Sequence, residues 1–203
     1  MDKLYLIGEL KRLAEKYNLT IGEEQLERII AKSHFRVVPK GEILSSIGDD
    51  TDTAGVVLSG IARCYYIDKD GNDITRGFAA AGYMCMDEGF FGYRERICMW
   101  EAVEELTVML FSASDIKRMI REDDRLNDTW ISILESGMRY KIYRENGFLV
   151  ENATERYLTF RRKFPELACR VPQQHIATYL GIAPESLSRI KKSLRENGVT
   201  DSE

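Results

Sequence analysis

The segment Val171–Leu194 carries the side chains whose types and spacing indicate the most specific chemistry in the chain. Its pattern predicts two short helices joined by a tight turn at Gly181, where positive φ is tolerated. Pro184 fits the first turn of the second helix, because the N–H group that a proline lacks has no helical partner there. The outward face of this helix then carries Glu185, Ser188, Arg189 and Lys192. Such side chains read base edges in the major groove, so the pattern is typical of a DNA-binding helix-turn-helix.

The competing interpretation is an ordinary helical hairpin, which accounts for the turn glycine and for a shared apolar core. That core would consist of Ile176, Leu180, Ile182, Leu187 and Ile190. A hairpin does not account for arginine and glutamate beside hydroxyl groups on the outward face, so we favour DNA binding. The predicted DNA-binding residues are Gln173, Gln174, Glu185, Ser186, Ser188, Arg189, Lys191, Lys192 and Arg195.

The net charge of −4 hides an uneven distribution along the chain. Residues 153–203 hold nine Lys and Arg against six Asp and Glu, a net charge of +3, which leaves −7 for residues 1–152. A basic C-terminal module on an acidic body fits nucleic-acid contact at one end of the chain. The alternative is a chance imbalance of charge on a solvated face, and a net charge of only +3 does not exclude it.

The composition argues against an enzyme and against a bound metal or cofactor. No two of the four cysteines form a CxxC motif, and His34 and His175 are too few and too distant for a metal-centred hydrolase. Motifs of the GxSxG and GxxxxGK[ST] types do not occur. We therefore predict no catalytic residues, no metal and no cofactor. The N-terminus lacks a signal-peptide layout and no apolar run approaches about 20 residues, which favours a cytoplasmic protein.

The elements ahead of the helix-turn-helix change from helical to strand-like. Apolar spacing predicts a helix over residues 2–17, and Thr20 with Glu23 forms a capping-box pattern at the start of a second helix. Short apolar runs then alternate with turn residues, and Asp70-Gly71 is a strong hairpin signal. These runs are Phe35–Val38, Ile43–Leu44, Gly55–Leu58, Ile61–Ile67, Ile74–Phe78 and Glu105–Phe111. Strands at this spacing predict an antiparallel sandwich or a small barrel.

Helical spacing returns after Ser112, and residues 123–149 predict one long helix. Two neighbouring apolar stripes on this helix offer more surface than one small sheet needs to cover, so one side is predicted to pack against a second copy of the chain. A buried core helix in a monomer is the alternative. The predicted interface residues are Leu126, Trp130, Ile133, Leu134, Gly137 and Met138.

Two shorter helices flank the long one. Ser114 or Asp115 is expected to cap the first of them. The second is predicted over Ala153–Phe164 and is expected to stop at Pro165. A hinge between the two halves of the chain is expected at Asn146-Gly147 or at Glu151-Asn152.

In order and spacing these features resemble the Crp/Fnr family of bacterial transcription regulators. The resemblance covers nearly the whole chain, and beside the helix-turn-helix it rests on Lys40–Leu44, Gly48-Asp49, Val57–Arg63, Asp70-Gly71, Glu155–Leu158 and Phe164–Leu167. It implies an α+β fold with three parts. These are a cyclic-nucleotide-binding-like jelly roll (a double-stranded β-helix) with flanking helices over residues 1–122, a dimerisation helix over 123–150 and a helix-turn-helix domain over 151–203.

The resemblance implies a role in transcription regulation. The implied partners are double-stranded DNA bearing a pseudo-palindromic operator, a second copy of the chain, RNA polymerase and a small-molecule effector. No association with a membrane is implied. The chain departs from the family in that it stops at Glu203, so the usual β-wing is expected to be reduced or absent. Pro184 stands where the family often has an arginine, which shifts base contacts to Glu185 and Arg189. Ala183 replaces the usual Ser or Thr cap and forgoes about 1 kcal/mol of helix stabilisation.

The effector site is expected in the β-roll, between Gly82 and Ala102. Family members that bind cyclic nucleotides hold the phosphodiester with a Gly-Glu pair and an arginine; here the pair becomes Met86-Asp87, and the arginine position falls near Ile97-Cys98. Arg96 lies one residue from the expected arginine position, and on a strand this offset turns its side chain to the opposite face of the sheet. If the alignment with the family is shifted across the preceding loop, Arg94 or Arg96 reaches into the pocket instead. We therefore predict no tight binding of cyclic AMP or cyclic GMP. The predicted pocket residues are Met84, Met86, Asp87, Glu88, Arg94, Arg96 and Cys98.

Several alternatives stay open for this segment. Its apolar and sulfur-containing side chains can fill the core of the β-roll, or they can line a pocket for an uncharged or aromatic metabolite. Cys85 and Cys98 can instead act as a thiol-based redox sensor. A regulator that truly responds to a cyclic nucleotide is a further alternative. A cupin-like enzyme on a similar β-roll is rejected, because His34 has no partner histidine among the strands.

Overall fold

The computed structural model describes residues 3–16 and 19–197. The chain divides into two compact units, the first made of Met1–Tyr66 with Gly77–Gly137 and the second of Ile67–Arg76 with Met138–Glu203. The second unit therefore takes in the tip of a β-hairpin together with the C-terminal helices. Within the described ranges, no helix combines the length and the apolar character needed to cross a bilayer.

Two four-stranded antiparallel sheets form a jelly roll. Their strands are β1 (Ser33–Val38), β2 (Ile43–Ser45), β3 (Thr53–Ser59), β4 (Ala62–Ile67), β5 (Asp73–Ala79), β6 (Met84–Cys85), β7 (Met99–Ala102) and β8 (Leu106–Ser112). One sheet has the order β1-β8-β3-β6 and the other β2-β7-β4-β5. Each of the six predicted runs overlaps a strand. The sequence missed β6 and β7 because two and four residues are too short to show an alternating pattern.

Four helices flank the roll in the first unit: α1 (Lys3–Lys16), α2 (Glu23–Ala31), α3 (Ala113–Glu122) and the first half of α4 (Asp124–Val150). They cover the outer face of β8. Val108 and Leu110 of this strand lie in the core between the sheets, whereas Met109 and Phe111 join a second core with the helices. Because β8 is buried on both faces, its central residues Val108–Phe111 form a continuous apolar run rather than an alternating pattern.

The helix starts in this unit differ from the sequence prediction. The capping box at Thr20 is wrong, because Gly22 is the N-cap of α2 and makes no side-chain cap hydrogen bond. The carbonyl of Thr20 instead accepts a 2.7 Å hydrogen bond from the hydroxyl of Thr129. The cap of α3 is Ser112, whose Oγ accepts from the backbone N–H of Asp115 at 3.1 Å, and not Ser114 or Asp115.

The long helix α4 is confirmed, and it runs for 27 residues. Its N-terminal part packs on its own chain: Leu126 is buried in the second core, and the Trp130 ring lies 4.8 Å from that of Phe90. The prediction of Leu126 as an interface residue is therefore corrected, since burial in its own core leaves no surface for a partner. The helix passes through Asn146-Gly147 without a break, so of the two expected hinges Glu151-Asn152 is the one at which it ends.

The second unit contains the helices α5 (Ala153–Lys163), α6 (Pro165–Arg170), α7 (Gln173–Tyr179) and α8 (Pro184–Glu196). Asn152 caps α5 in a capping box with Glu155. Pro165 follows the end of α5, as predicted, but it also starts α6 as a first-turn proline. The structure describes no strand between α8 and Asn197, and the segment in which a wing was considered, residues 198–203, lies outside the described residues.

Candidate functional site

The predicted helix-turn-helix is present as α7 and α8. Gly181 adopts φ of 69° in the turn between them, which confirms the need for a residue that tolerates the left-handed region. Ala177 and Leu187 are fully buried where the two helices meet, and Ile176 and Leu180 are nearly so. Ile182 and Ile190 are only half-buried, so they lie at the margin of this core.

The start of α8 has the features expected from the sequence. Pro184 occupies the first helical turn, and Ala183 is the N-cap without a side-chain hydrogen bond. Three polar side chains line the outward face in the first two turns, where Glu185, Ser188 and Arg189 are all exposed.

The nine predicted DNA-binding residues all reach the surface. Ser186 and Lys191 are half-buried, and the other seven are exposed: Gln173, Gln174, Glu185, Ser188, Arg189, Lys192 and Arg195. Among the described residues, the Arg189 guanidinium makes a long side-chain contact, 3.4 Å from Nη2 to the Ser186 hydroxyl. Lys192 lies 3.9 Å from Glu196 in an exposed pair. Both contacts are weak, so they do not fix the Arg189 and Lys192 side chains in one position.

Partly buried polar contacts hold α7 in the second unit. The hydroxyls of Tyr140 and Tyr179 lie 2.9 Å apart, and those of Thr75 and Thr178 lie 2.7 Å apart. Arg144 donates to the carbonyls of Tyr179 and of Arg76 in the hairpin tip, and its guanidinium lies 4.3 Å from the centre of the Tyr179 ring. Burial, with a smaller effect of Tyr140, raises the pKa of Tyr179 above its ordinary value. The sequence analysis missed this cluster, for which the one-turn spacing of Tyr140 and Arg144 on α4 is a local signal.

A row of apolar side chains on α4 remains exposed. Its members follow helical spacing at Ile131, Leu134, Met138 and Ile142, with Met138 and Ile142 each 58% exposed. This row is the second of the two stripes seen in the sequence. Of the other predicted interface residues, Gly137 is exposed, whereas Trp130 and Ile133 are half-buried. The exposed row is therefore displaced around the helix from the first stripe, which begins at Leu126.

Inside the β-roll, a buried ion pair joins two residues of the predicted effector segment. Arg96 donates from Nη1 to Glu88 Oε2 at 2.9 Å, with side chains that are 1% and 3% exposed, and it also donates to the carbonyl of Thr53. The expectation that Arg96 faces the other side is therefore wrong. Arg96 precedes β7 in a loop, so the alternation of a strand does not determine its direction. Arg94, the other arginine considered, is exposed.

Residues 35–123 match the family model described as the cyclic nucleotide-binding domain. This segment is similar to that domain. The match begins within β1, covers the strands through β8 and ends at Asp123, directly after α3, so the predicted β-roll is confirmed. It also includes both partners of the buried Arg96–Glu88 pair.

Solved structures extend this likeness beyond the cyclic nucleotide-binding domain. FixK2 from Bradyrhizobium japonicum is 20% identical over 82% of this chain and 86% of that chain, with a TM-score of 0.72. The c-di-GMP-responsive global regulator CLP from Xanthomonas campestris is 19% identical over 85% and 91%, with a TM-score of 0.70. The catabolite activator protein of Thermus thermophilus is 20% identical over 88% and 86%, with a TM-score of 0.54. No curated protein matches the chain. The resemblance to Crp/Fnr regulators is thus confirmed at the level of the fold.

At the position expected for the Gly-Glu pair, this chain has Met86-Asp87 and a backbone conformation that favours glycine. Met86 adopts φ of 55°, a region that favours glycine and costs about 1–2 kcal/mol for other residues. Met86 is buried, Asp87 and Met84 are half-buried, and Glu88 is buried. The structure thus brings Glu88, rather than Asp87, into the interior beside Arg96.

Sulfur atoms surround this pair. Cys98 donates to Glu88 Oε1 at 2.5 Å, and Trp100 Nε1 donates to the same oxygen at 3.2 Å. The sulfur next to Cys98 is that of Cys64, at 3.0 Å, and not that of Cys85 as considered from the sequence. The contact with Cys64 and burial raise the pKa of Cys98, and burial raises that of Cys85. Both thiols are therefore protonated at neutral pH, which makes them poor nucleophiles.

Proposed function

We propose that this chain is a transcription regulator of the Crp/Fnr type that binds double-stranded DNA as a homodimer, with α8 in the major groove. The observation that carries the proposal is the division of α8 into two faces. Leu187 is fully buried against α7, whereas the opposite face presents Glu185, Ser188, Arg189 and Lys192 to solvent. A helix of this composition, held rigidly by its neighbour, is what a major-groove reader requires.

Distinct roles follow for the exposed side chains. Arg189 is the base reader, because a guanidinium binds guanine O6 and N7 with two hydrogen bonds. Glu185, one turn earlier, accepts from cytosine N4. Lys191, Lys192 and Arg195 lie further along the helix and bind phosphates, which adds affinity for any sequence.

The homodimer is proposed from the exposed row on α4. Four large apolar side chains in one row are costly to leave in water, and a second copy of α4 covers them with matching residues. Two-fold symmetry then places two α8 helices about one turn of DNA apart, ~34 Å, on a pseudo-palindromic site.

Selection of bound sequences from a random pool of duplex DNA tests this function. The full chain is expected to enrich a pseudo-palindrome whose half-sites are centred one helical turn apart. A variant with Glu185→Ala and Arg189→Ala together is expected to enrich nothing above background, while Arg121→Ala, an exposed arginine of α3, behaves as the wild type. Equal enrichment by the double variant and the wild type would contradict the proposal.

We propose further that the effector of the β-roll is not a cyclic nucleotide. Arg96, the arginine that faces the interior, already pairs with Glu88, and a phosphodiester would have to displace that carboxylate. The second candidate is a regulator that does bind a cyclic nucleotide, and the match of residues 35–123 to the cyclic nucleotide-binding domain favours it.

Calorimetry with cyclic AMP, cyclic GMP and cyclic di-GMP separates the two candidates. The proposal expects no heat of binding from the wild-type chain at micromolar nucleotide. Glu88→Gln removes the competing charge and keeps the volume of the side chain, so it is the variant in which a latent site would appear. Micromolar or tighter binding by the wild type, lost in Arg96→Ala, would establish the second candidate instead.

A further inference from the structure

Three buried side chains inside the jelly roll bring metal-ligating atoms together. The sulfurs of Cys64 and Cys98 and a carboxylate oxygen of Glu88 all lie within 4.8 Å of one another. Cys64 is on β4 opposite Trp100 of β7, Cys98 directly precedes β7, and Glu88 begins the short 3-10 helix Glu88–Phe91. Because the three residues lie 10 to 34 positions apart, a search for closely spaced cysteines in the sequence does not find them.

We propose that Cys64, Cys98 and Glu88 form a site for a divalent, thiolate-binding metal ion, with Zn²⁺ as the natural occupant. Two thiolates and a carboxylate form a ligand set that Zn²⁺ accepts. With the guanidinium of Arg96, their formal charges sum to −2, which one divalent cation neutralises. Neutrality matters here because an uncompensated charge is costly in a site from which water is excluded.

Hydrogen bonds from neighbouring side chains already orient the Glu88 carboxylate, as they do for carboxylate ligands in metal sites. Arg96 holds Oε2, while Trp100 donates to Oε1. Hydrogen bonds of this kind fix the direction of a ligating carboxylate. The sulfurs lie 3.0 Å apart, so they must separate slightly to bind one ion at the Zn–S distance of about 2.3 Å.

A disulfide between Cys64 and Cys98 is the competing use of these sulfurs. It would need them to approach to about 2.05 Å. It would also use two of the three groups and remove the hydrogen bond from the Cys98 thiol to Glu88, whereas a metal ion uses all three. The proposal is independent of DNA binding, because it concerns residues of the first unit alone.

Cobalt substitution tests the site. The full chain is refolded with Co²⁺ under reducing conditions, as wild type and as the ligand variants Cys64→Ser, Cys98→Ser and Glu88→Gln. Cys85→Ser, a buried cysteine of the same core, and Cys169→Ser, an exposed one, are the matched controls. We expect one Co²⁺ per chain with thiolate-to-cobalt charge-transfer absorption in the wild type and both controls. We expect that absorption to be lost in both cysteine variants and the affinity to fall about 10-fold or more in Glu88→Gln.

A measurement on the wild type alone covers the case in which a variant fails to fold. Zinc-edge X-ray absorption of the zinc-loaded chain is expected to show two sulfur neighbours at about 2.3 Å and an oxygen neighbour at about 2.0–2.2 Å. A wild type that takes up no Co²⁺, or that keeps its charge-transfer band in Cys64→Ser and loses it in Cys85→Ser, would overturn the site. A chain that takes up no metal under reducing conditions, and whose Cys64 and Cys98 form a disulfide while oxidised glutathione is reduced to two glutathione molecules, would overturn it in favour of the disulfide.

Discussion

Two ion pairs of this protein have the same chemistry in opposite surroundings. Arg96 and Glu88 meet at 2.9 Å with side chains that are 1% and 3% exposed, whereas Lys192 and Glu196 meet at 3.9 Å with side chains that are 78% and 67% exposed. Inside the β-roll a charge must find a fixed partner, because water cannot replace it. On α8 the charges stay solvated and are free to meet another molecule. The buried charges are thus paired within the protein, whereas the exposed charges on α8 can interact with a binding partner.

Breaking the interior pair should give the largest effect on stability. Arg96→Met leaves the carboxylate of Glu88 buried without its cation, which is expected to lower the free energy of unfolding by about 3–5 kcal/mol. Lys192→Met removes the cation of the exposed pair and is expected to cause no measurable change. Urea unfolding of both variants measures the difference. Equal losses of unfolding free energy in the two variants would show that burial does not determine how much each ion pair contributes to stability.

The exposed row on α4 should matter for assembly and not for folding. Met138→Glu places a charge in the proposed interface, so we expect a folded monomer that binds operator DNA about 100-fold more weakly or worse, because the two half-sites are no longer linked. Ser136→Glu, an exposed residue outside the row, is the control and should remain dimeric. Light scattering gives the mass. A monomeric wild type at micromolar concentration would contradict this account.

The turn of the helix-turn-helix should tolerate little change. At Gly181, φ is 69° and an added Cβ would lie 3.0 Å from the Phe148 ring, so Gly181→Ala is expected to cost about 1–2 kcal/mol. Gly8→Ala in α1 has open space and helical geometry, and it is expected to be neutral or stabilising. Thermal unfolding compares the two. A stable Gly181→Ala would show that the turn relaxes without disturbing α8.

The hydrogen bond that anchors α7 should have the smallest effect on stability. Tyr140→Phe removes the 2.9 Å contact with the Tyr179 hydroxyl and is expected to cost about 1 kcal/mol, since that hydroxyl is buried. Tyr93→Phe, at an exposed residue, is the control and should leave stability unchanged. Chemical denaturation followed by circular dichroism measures both. An unchanged Tyr140→Phe would mean that the ring contacts alone hold α7.

Sequence reasoning succeeded where the pattern is periodic and exposed. The two faces of α8, the turn at Gly181 and the length of α4 all follow from helical spacing and turn chemistry. It failed where a short loop decides the direction of a side chain. Arg96 turns inward ahead of a four-residue strand, and Cys64 meets Cys98 across two strands, so neither contact is encoded in local spacing. Leu126 was assigned to the wrong surface because an apolar stripe does not reveal what covers it.

The most direct test of the central claim, that α8 reads DNA sequence, compares Arg189→Ala with Lys192→Ala on the selected operator and on random DNA. Arg189→Ala is expected to weaken operator binding by about 1–3 kcal/mol and to leave binding to random DNA nearly unchanged. Lys192→Ala is expected to weaken both alike and to lower the salt dependence by about one unit. Equal losses on operator and random DNA for Arg189→Ala would contradict the claim.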